Sequence, residues 1–132
     1  MKPIQEIYKG KTPDDSFLWD YEPLLDSIGT VLVKVDSGEY LGDSRIIYEK
    51  DGKYGYLQFG WGSCSGCDAL KACSTWEEVD ALRKELAASI KWFESVEEGL
   101  QFFRHHDWEG DYSKDVTFIN KGIALFEAKL LK

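Results

Sequence analysis

The hydrophobic pattern of this chain changes its period part-way along, from every second residue to every third or fourth. Residues 30–35 alternate, with Val31, Val33 and Val35 on one face. Alternation of this kind is typical of β-strands that bury one side. After residue 66 the apolar side chains recur at helical spacing instead. A strand-rich first half followed by helices predicts an α+β domain.

Turn residues predict how the strands pair. Asp36-Ser37-Gly38 ends the first strand, and Asp51-Gly52 separates Ser44–Lys50 from Lys53–Trp61. An Asp-Gly pair between such runs is a strong hairpin signal, because both residues adopt positive φ readily. Short loops make consecutive strands antiparallel neighbours. The sequence therefore predicts a three-stranded meander, to which Lys91-Trp92-Phe93 can add a short edge strand.

Two capping boxes mark helix starts in the second half of the chain. They are Ser74-Thr75-Trp76-Glu77 and Ser95-Val96-Glu97-Glu98. In such a box a hydroxyl and a later glutamate satisfy free backbone amides at the helix start. Helices are therefore predicted over about 75–89 and from residue 96 onward. A third apolar stripe at helical spacing comprises Val116, Ile119, Ile123, Phe126 and Leu130.

The whole chain, residues 1–132, is expected to form one domain. Its predicted fold class is α+β, a three- to four-stranded antiparallel meander packed by two to four C-terminal helices. Residues 1–28 carry all three prolines, which predicts an irregular N-terminal arm with one short helical turn near residues 17–25. Three further parts follow, a β-meander over 29–61, a cysteine- and glycine-rich loop with a short helix over 62–73, and a helical part over 74–132.

The chain is acidic, with 16 basic and 24 acidic residues and a formal net charge of −8. Direct nucleic-acid binding is not expected, because the grip on a phosphate backbone comes from clustered Lys and Arg. The acidity suits a partner with a basic face, and it equally serves solubility. Apolar runs stay well below the roughly 20 residues that cross a bilayer, and residues 1–10 lack a signal-peptide core. We therefore expect a cytoplasmic protein with no membrane partner.

The most distinctive segment is Ser63-Cys64-Ser65-Gly66-Cys67, here called the cysteine loop. Two cysteines separated by two residues at a helix start suit thiol–disulfide exchange. The thioredoxin arrangement also needs a later cis-proline, however, and no proline follows Pro23. An anion-binding nest is a second alternative, although the lysine of a P-loop is absent. A tight structural turn with reduced cysteines is the simplest interpretation.

Zinc is the alternative cofactor, although none is expected. Cys64 and Cys67 have the spacing of a zinc knuckle, which His105 or His106 would complete. Cys73 lies six residues after Cys67, a rotation of about 240° on a helix, so the two side chains diverge. We therefore expect Cys73 to be a buried, free thiol.

Oxygen-bearing residues recur at every second position from Asp107 to Asp115, the spacing of an EF-hand loop. Tyr112 stands where that loop needs glycine, so a polar connecting loop is the simpler interpretation. The sequence contains neither a Gly-x-Ser-x-Gly nor a His-Glu-x-x-His motif, and no catalytic residue is predicted.

The string Gly-Ser-Cys-Ser-Gly-Cys-Asp-Ala-Leu at residues 62–70 lies within a longer run from Tyr56 to Cys73. Together with Trp92-Phe93 and the segment from His106 to Tyr112, this run resembles small uncharacterised proteins of bacteria and their phages. The likeness covers roughly residues 54–112. It implies no particular activity, but it implies a phage or bacterial cytoplasm, where thiols stay reduced.

The resemblance also implies that the cysteine loop and the Trp108-Glu109 loop lie close together as one surface. We interpret the chain as a non-enzymatic, small acidic binding protein whose partner is a protein, such as one of the host, and which is a monomer or a dimer. Rigid aromatic side chains among glycines suit recognition. The alternatives are a zinc-binding protein and a thiol-redox protein. The predicted contact surface comprises Trp61, Ser63, Cys64, Ser65, Gly66, Cys67, Asp68, Trp108, Glu109 and Asp111.

Overall fold

The computed structural model describes residues 2–12, 20–38, 41–62, 68–108 and 112–131. Along these ranges the elements are α1 (Ile4–Ile7), α2 (Glu22–Ile28), β1 (Thr30–Gly38), β2 (Leu41–Lys50), β3 (Lys53–Gly62), α3 (Trp76–Ala88), β4 (Lys91–Phe93), α4 (Val96–His105) and α5 (Tyr112–Leu130). The described strands form one antiparallel sheet in the order β1-β2-β3-β4. The predicted α+β fold and its meander, including the short edge strand, are confirmed. None of the described helices is long and apolar enough to span a membrane.

The hairpin between β2 and β3 follows from the Asp51-Gly52 turn. The two residues have φ angles of 53° and 79°, as a two-residue turn matched to the strand twist requires. The turn pairs Lys50 with Lys53 and sets the register along the whole of both strands. The alternation predicted for β3 is confirmed, since its odd-numbered apolar side chains pack on one face of the sheet and Tyr54 and Tyr56 on the other.

β1 departs from the predicted alternation. Its register with β2 shifts between Val31 and Val33, so Leu32 is an extra residue in the ladder. A bulge of this kind moves the side chains beyond it to the opposite face. Val31 consequently packs on one face, whereas Val33 and Val35 pack on the other. The prediction that the three valines share a face is wrong, because it assumes an unbroken ladder.

The first face of the sheet packs against α1, α2 and α3. Its fully buried side chains include Leu24, Leu25, Ile46, Tyr48, Leu57, Leu70 and Val79. Arg83 of α3 ties the N-terminal helices together, since it donates to the carbonyl of Lys2 at 2.7 Å and to Ser27 Oγ at 3.3 Å. The irregular arm predicted for residues 1–28 is wrong for residues 4–7 and 22–28, which form α1 and α2. The second of these helices begins within the segment, 17–25, where a short helical turn was predicted. Pro23 lies in the first turn of α2, where proline removes no helical hydrogen bond.

The second face packs against α4 and α5. Its buried side chains are Ile47, Phe93, Leu100, Phe103, Phe118 and Phe126. Two glycines bring these helices close together in a reciprocal way. A Cβ atom on Gly99 of α4 would lie 2.8 Å from the ring of Phe126 on α5, and a Cβ atom on Gly122 of α5 would collide with the ring of Phe103 on α4. The sheet thus lies between two helical layers.

Hydroxyl caps begin α3 and α4. Thr75 Oγ1 accepts a hydrogen bond from the amide of Glu78 at 3.1 Å, and Ser95 Oγ accepts one from Glu98 at 3.0 Å. The second capping box is confirmed. The first lies one residue later than predicted, and Glu78 also accepts from the Ser74 hydroxyl at 2.8 Å. Both helix starts are therefore set by contacts within four residues.

Candidate functional site

The structure describes part of the predicted contact surface. Outside the described residues lie Ser63, Cys64, Ser65, Gly66, Cys67, Glu109 and Asp111. Within them lie Trp61, Asp68 and Trp108, together with His105 and His106, the histidines of the zinc alternative.

Asp68 closes the cysteine loop at its base. The residue is buried, with 4% of its surface exposed. Its Oδ2 atom accepts a hydrogen bond at 2.8 Å from the amide of Gly62, the last residue of β3. Its Oδ1 atom accepts from the amides of Leu70 at 2.9 Å and Lys71 at 3.1 Å. One carboxylate therefore joins the two residues that flank positions 63–67.

A single turn follows Asp68, where the sequence predicted a short helix. The amide of Ala72 donates to the carbonyl of Asp68 at 3.0 Å, and that of Cys73 donates to the carbonyl of Leu70 at 3.1 Å. An aspartate that accepts from amides two and three residues later is typical of an Asx turn. The local sequence from Asp68 onward thus carried a signal for this turn.

Tyr21 completes the base of the loop. Its hydroxyl donates to Asp68 Oδ1 at 2.8 Å and accepts from the amide of Leu70 at 3.2 Å. Its ring packs against Phe59 of β3, with the ring centroids 4.9 Å apart. Burial, reinforced by the hydrogen bond to Asp68, raises the pKa of this phenol above its ordinary value, so the hydroxyl stays protonated. Sequence reasoning missed Tyr21, because 47 residues separate it from Asp68.

Tyr21, Gly62, Asp68, Leu70 and Lys71 together form what we call the Asp68 clamp. Three backbone amides and one phenol converge on a single carboxylate. Hydrogen bonds to a charged acceptor are stronger than neutral ones, and they offset the cost of removing the anion from water. The carboxylate of Asp68 is therefore bound by groups inside the protein.

Trp61 lies beside the clamp on the first face of the sheet. Its ring is half-buried against the first core cluster. Its Nε1 atom donates to Ser44 Oγ at 3.0 Å, and the Ser44 hydroxyl donates in turn to Asp36. These two bonds connect β3, β2 and β1 in series. Trp61 is thus held in one orientation at the end of the sheet, with part of its surface exposed, two residues before the cysteine loop begins in the sequence.

Trp108 lies in an aromatic cluster on the second face. Its ring centroid is 5.4 Å from that of Tyr56, 5.3 Å from Phe103 and 6.0 Å from Phe118. Its Nε1 atom donates to the carbonyl of Phe103 at 3.4 Å. The residue is half-buried, so a large part of its surface contributes to packing.

The structure does not bring Trp61 and Trp108 together. Trp61 packs with the first cluster and Trp108 with the second, and the sheet lies between them. Trp108 contacts Tyr56, which stands at an even position of β3, whereas Trp61 stands at an odd one. Side chains on a strand alternate between its faces. The predicted contact surface contains both tryptophans, but they lie on opposite faces of the sheet. The proximity of the cysteine loop to the Trp108-Glu109 loop, which the resemblance implies, concerns residues outside the described ranges and stays a prediction.

The two histidines belong to the second layer. His105 is exposed, and its Nε2 atom lies 3.0 Å from Gln101 Oε1. The ring of His106 stacks on Phe102 at a centroid distance of 4.5 Å and meets Trp108 edge-on at 4.7 Å. Within the described ranges no three His, Cys, Asp or Glu side chains converge into a metal-binding group.

Cys73 is buried and free, as predicted. Its thiol lies 3.3 Å from the carbonyl oxygen of Ala69. Burial, aided by the negative charges of Glu78 and Asp68, raises the pKa of the thiol, so it remains protonated and unreactive near neutral pH.

Comparison with known proteins identifies no relative of this chain: no family model, curated protein or solved structure matches it. Its function has to be inferred from the site itself.

Proposed function

We propose that this chain is a small, acidic, non-enzymatic binding protein of the phage or bacterial type, which presents the cysteine loop to a host protein. The observation that carries the proposal is the Asp68 clamp. The hydrogen bond between Gly62 and Asp68 ties both ends of residues 63–67 to a buried base. The clamp thereby fixes the relative positions of Gly62 and Asp68, the two residues that flank this segment.

Restriction of this kind favours binding. A segment whose ends are already held loses less conformational entropy when a partner orders it, so more of the contact energy appears as affinity. The exposed part of Trp61, two residues before the loop in sequence, adds a rigid aromatic anchor of the type that contributes most at protein interfaces.

The charge of the chain supports a partner with a basic face. A formal net charge of −8 attracts such a partner over a distance of about one Debye length, roughly 8–10 Å at ordinary salt. Long-range attraction mainly raises the association rate. We therefore expect the association rate to fall as salt concentration rises, with a smaller change in the dissociation rate.

The test compares immobilised wild-type protein with three variants in a bacterial lysate, followed by affinity measurement with the purified candidate partner. Ser63→Lys combined with Ser65→Lys alters the loop, Asp68→Asn weakens the clamp, and Lys121→Ala is a control at an exposed position of α5. Circular dichroism verifies that each variant is folded.

The expected result is a partner that binds the wild type and the Lys121 variant equally. The two lysines in the loop should weaken the affinity for the partner at least about tenfold, because they repel its basic face. Asp68→Asn should also weaken this affinity, because the ends of the loop are then less firmly held before binding. If the loop substitutions leave the affinity for the partner unchanged, the cysteine loop is not the contact surface.

A further inference from the structure

β1 is an edge strand, since β2 is its one neighbour among the described strands. Within the described residues no turn, loop or cap hydrogen bond reaches its backbone. An edge strand presents unpaired amides and carbonyls with which another strand can pair. A lone lysine on such an edge discourages pairing, but Lys34 of β1 is followed two residues later by Asp36.

Along each strand, alternate residues direct their backbone groups to one side and to the other. The turn between β2 and β3 shows which residues direct theirs to the outer edges of the sheet. A two-residue turn makes Lys50 and Lys53 a hydrogen-bonded pair. Odd-numbered residues of β3 therefore direct their backbone groups to β2, and even-numbered ones direct them away. The amide of Gly62 agrees, because it points away from β2 to Asp68.

The same alternation extends to β1. Odd-numbered residues of β2 point to β1, where they lie opposite Val33 and Val35. The backbone groups of these valines are thus used within the sheet. The backbone groups of Lys34, which lies between the two valines, and of Asp36, which follows Val35, point outward from the sheet.

The outward residues are self-complementary in charge. Lys34 and Asp36 are exposed, and their Nζ and Oδ2 atoms lie 3.8 Å apart as a surface ion pair of low strength. An antiparallel second copy centred on Val35 would place Lys34 of each copy opposite Asp36 of the other. A shift of two residues in either direction would place Lys34 opposite Lys34, or Asp36 opposite Asp36. Like charges directly opposite are destabilising, so charge selects the centred register.

We propose that a second copy of this chain pairs with β1 in this register, so that the two sheets join across a two-fold axis at Val35. Lys34 and Asp36 of opposite copies exchange backbone hydrogen bonds in both directions. The two Val35 side chains meet in the non-hydrogen-bonded pair, where cross-strand side chains are closest. This surface lies at the far edge of the sheet from β4, and the pairing itself does not require the cysteine loop. Asp36 also accepts a hydrogen bond from Ser44, so Asp36→Lys removes that bond as well as the charge, and recovery in the mixture of variants below separates the two effects.

The test is sedimentation equilibrium of the wild type, of Lys34→Glu, of Asp36→Lys and of an equimolar mixture of the two variants. Each variant alone places like charges opposite, and its dimer dissociation constant should rise at least about tenfold. The mixture should recover the wild-type constant. In the mixed dimer the introduced charges face each other, and the retained Asp36 of one chain faces the retained Lys34 of the other.

Amide hydrogen exchange of the wild type is a second test of the dimer, and it requires no substitution. The amides of Lys34 and Asp36 should exchange more slowly as protein concentration rises, whereas those of Val33 and Val35 should not change. A chain that stays monomeric at hundreds of micromolar would overturn the proposal. So would a dimer that neither substitution weakens, or concentration-independent exchange at residues 34 and 36.

Discussion

The carboxylate of Asp68 accepts a hydrogen bond from the backbone amide of Gly62, 2.8 Å away, across the base of the cysteine loop. The same carboxylate accepts from the hydroxyl of Tyr21, which belongs to the first helical layer. One buried charge therefore links the end of β3, the turn before α3 and the N-terminal part of the chain. Three parts of the chain, one of them 47 residues from Asp68 in sequence, thus depend on one residue.

Asp68→Asn should lower the free energy of unfolding by about 2–4 kcal/mol. An amide side chain has one acceptor oxygen, so at least one of the donors now bound to the carboxylate would be buried without a partner. Urea denaturation followed by tryptophan fluorescence measures the change. Asp26→Asn, at an exposed aspartate of α2, is the control and should change stability by less than about 0.5 kcal/mol. If Asp68→Asn is as stable as Asp26→Asn, the hydrogen bonds of the Asp68 clamp do not stabilise the fold.

Alkaline pH should unfold the protein through its buried phenols. Burial raises the pKa of Tyr8, Tyr21 and Tyr48 above the ordinary value. In the unfolded chain these groups ionise near pH 10, so their contribution to stability is complete below about pH 10 and is lost as the pH rises toward the higher folded values. Tyrosinate absorbance from these residues should appear together with loss of the circular dichroism signal. Their ionisation near pH 10 in a folded chain would refute this.

Gly122→Ala should destabilise the protein by up to about 2 kcal/mol, although alanine is the better helix former. The gain in helix propensity is about 1 kcal/mol, whereas a collision in a packed core costs about 1–3 kcal/mol. The Cβ atom would meet the ring of Phe103. In a double-mutant cycle with Phe103→Leu the cost of the alanine should shrink. A cost that is the same in both backgrounds would show that the ring is not responsible.

Trp108→Ala should lower the free energy of unfolding by about 2–3 kcal/mol in the absence of any partner, because the ring packs against Tyr56, Phe103 and Phe118. His106→Ala, which removes an exposed ring from the same cluster, should cost less than about 1 kcal/mol. Thermal unfolding of both variants tests whether Trp108 contributes to packing or only to recognition of a partner. An unchanged melting temperature for Trp108→Ala would point to a surface residue that serves recognition alone.

Removal of metal should leave the fold intact. The loop base is closed by hydrogen bonds to Asp68, and His106 is held by ring contacts to Phe102 and Trp108. We expect less than stoichiometric zinc by elemental analysis after purification without chelator, and no change of circular dichroism on chelation. One zinc per chain, with unfolding on its removal, would instead support a site at Cys64, Cys67 and a histidine.

Short-range features of the fold could be predicted from the sequence. The Asp51-Gly52 turn set the β2–β3 register, and the serine of the Ser95 box capped α4 as expected. Cys73 shares a turn with Leu70, and both are buried. In each case the decisive contacts lie within a few residues along the chain, where backbone geometry limits the possible arrangements.

The rest of the site depended on contacts that no local pattern encodes. Asp68 was expected at an exposed contact surface, yet Tyr21 and Gly62 bury it. Trp61 and Trp108 were expected to share a surface, yet they pack on opposite faces of the sheet. Hydrophobic spacing shows that a side chain is apolar and periodic, but it does not show which neighbour will cover it.

The sequence by itself determined the order of strands and helices from β1 onward, the hairpin, and the starts of α3 and α4 to within one residue. Turn dihedrals, capping hydrogen bonds and side-chain periodicity act over a few residues. Only the tertiary structure decided which face each element covers. The bulge after Val31 reversed the alternation of β1, and Arg83 tied two short N-terminal helices to α3. These outcomes depend on how distant segments share one core, where packing and the satisfaction of buried polar groups outweigh local preference.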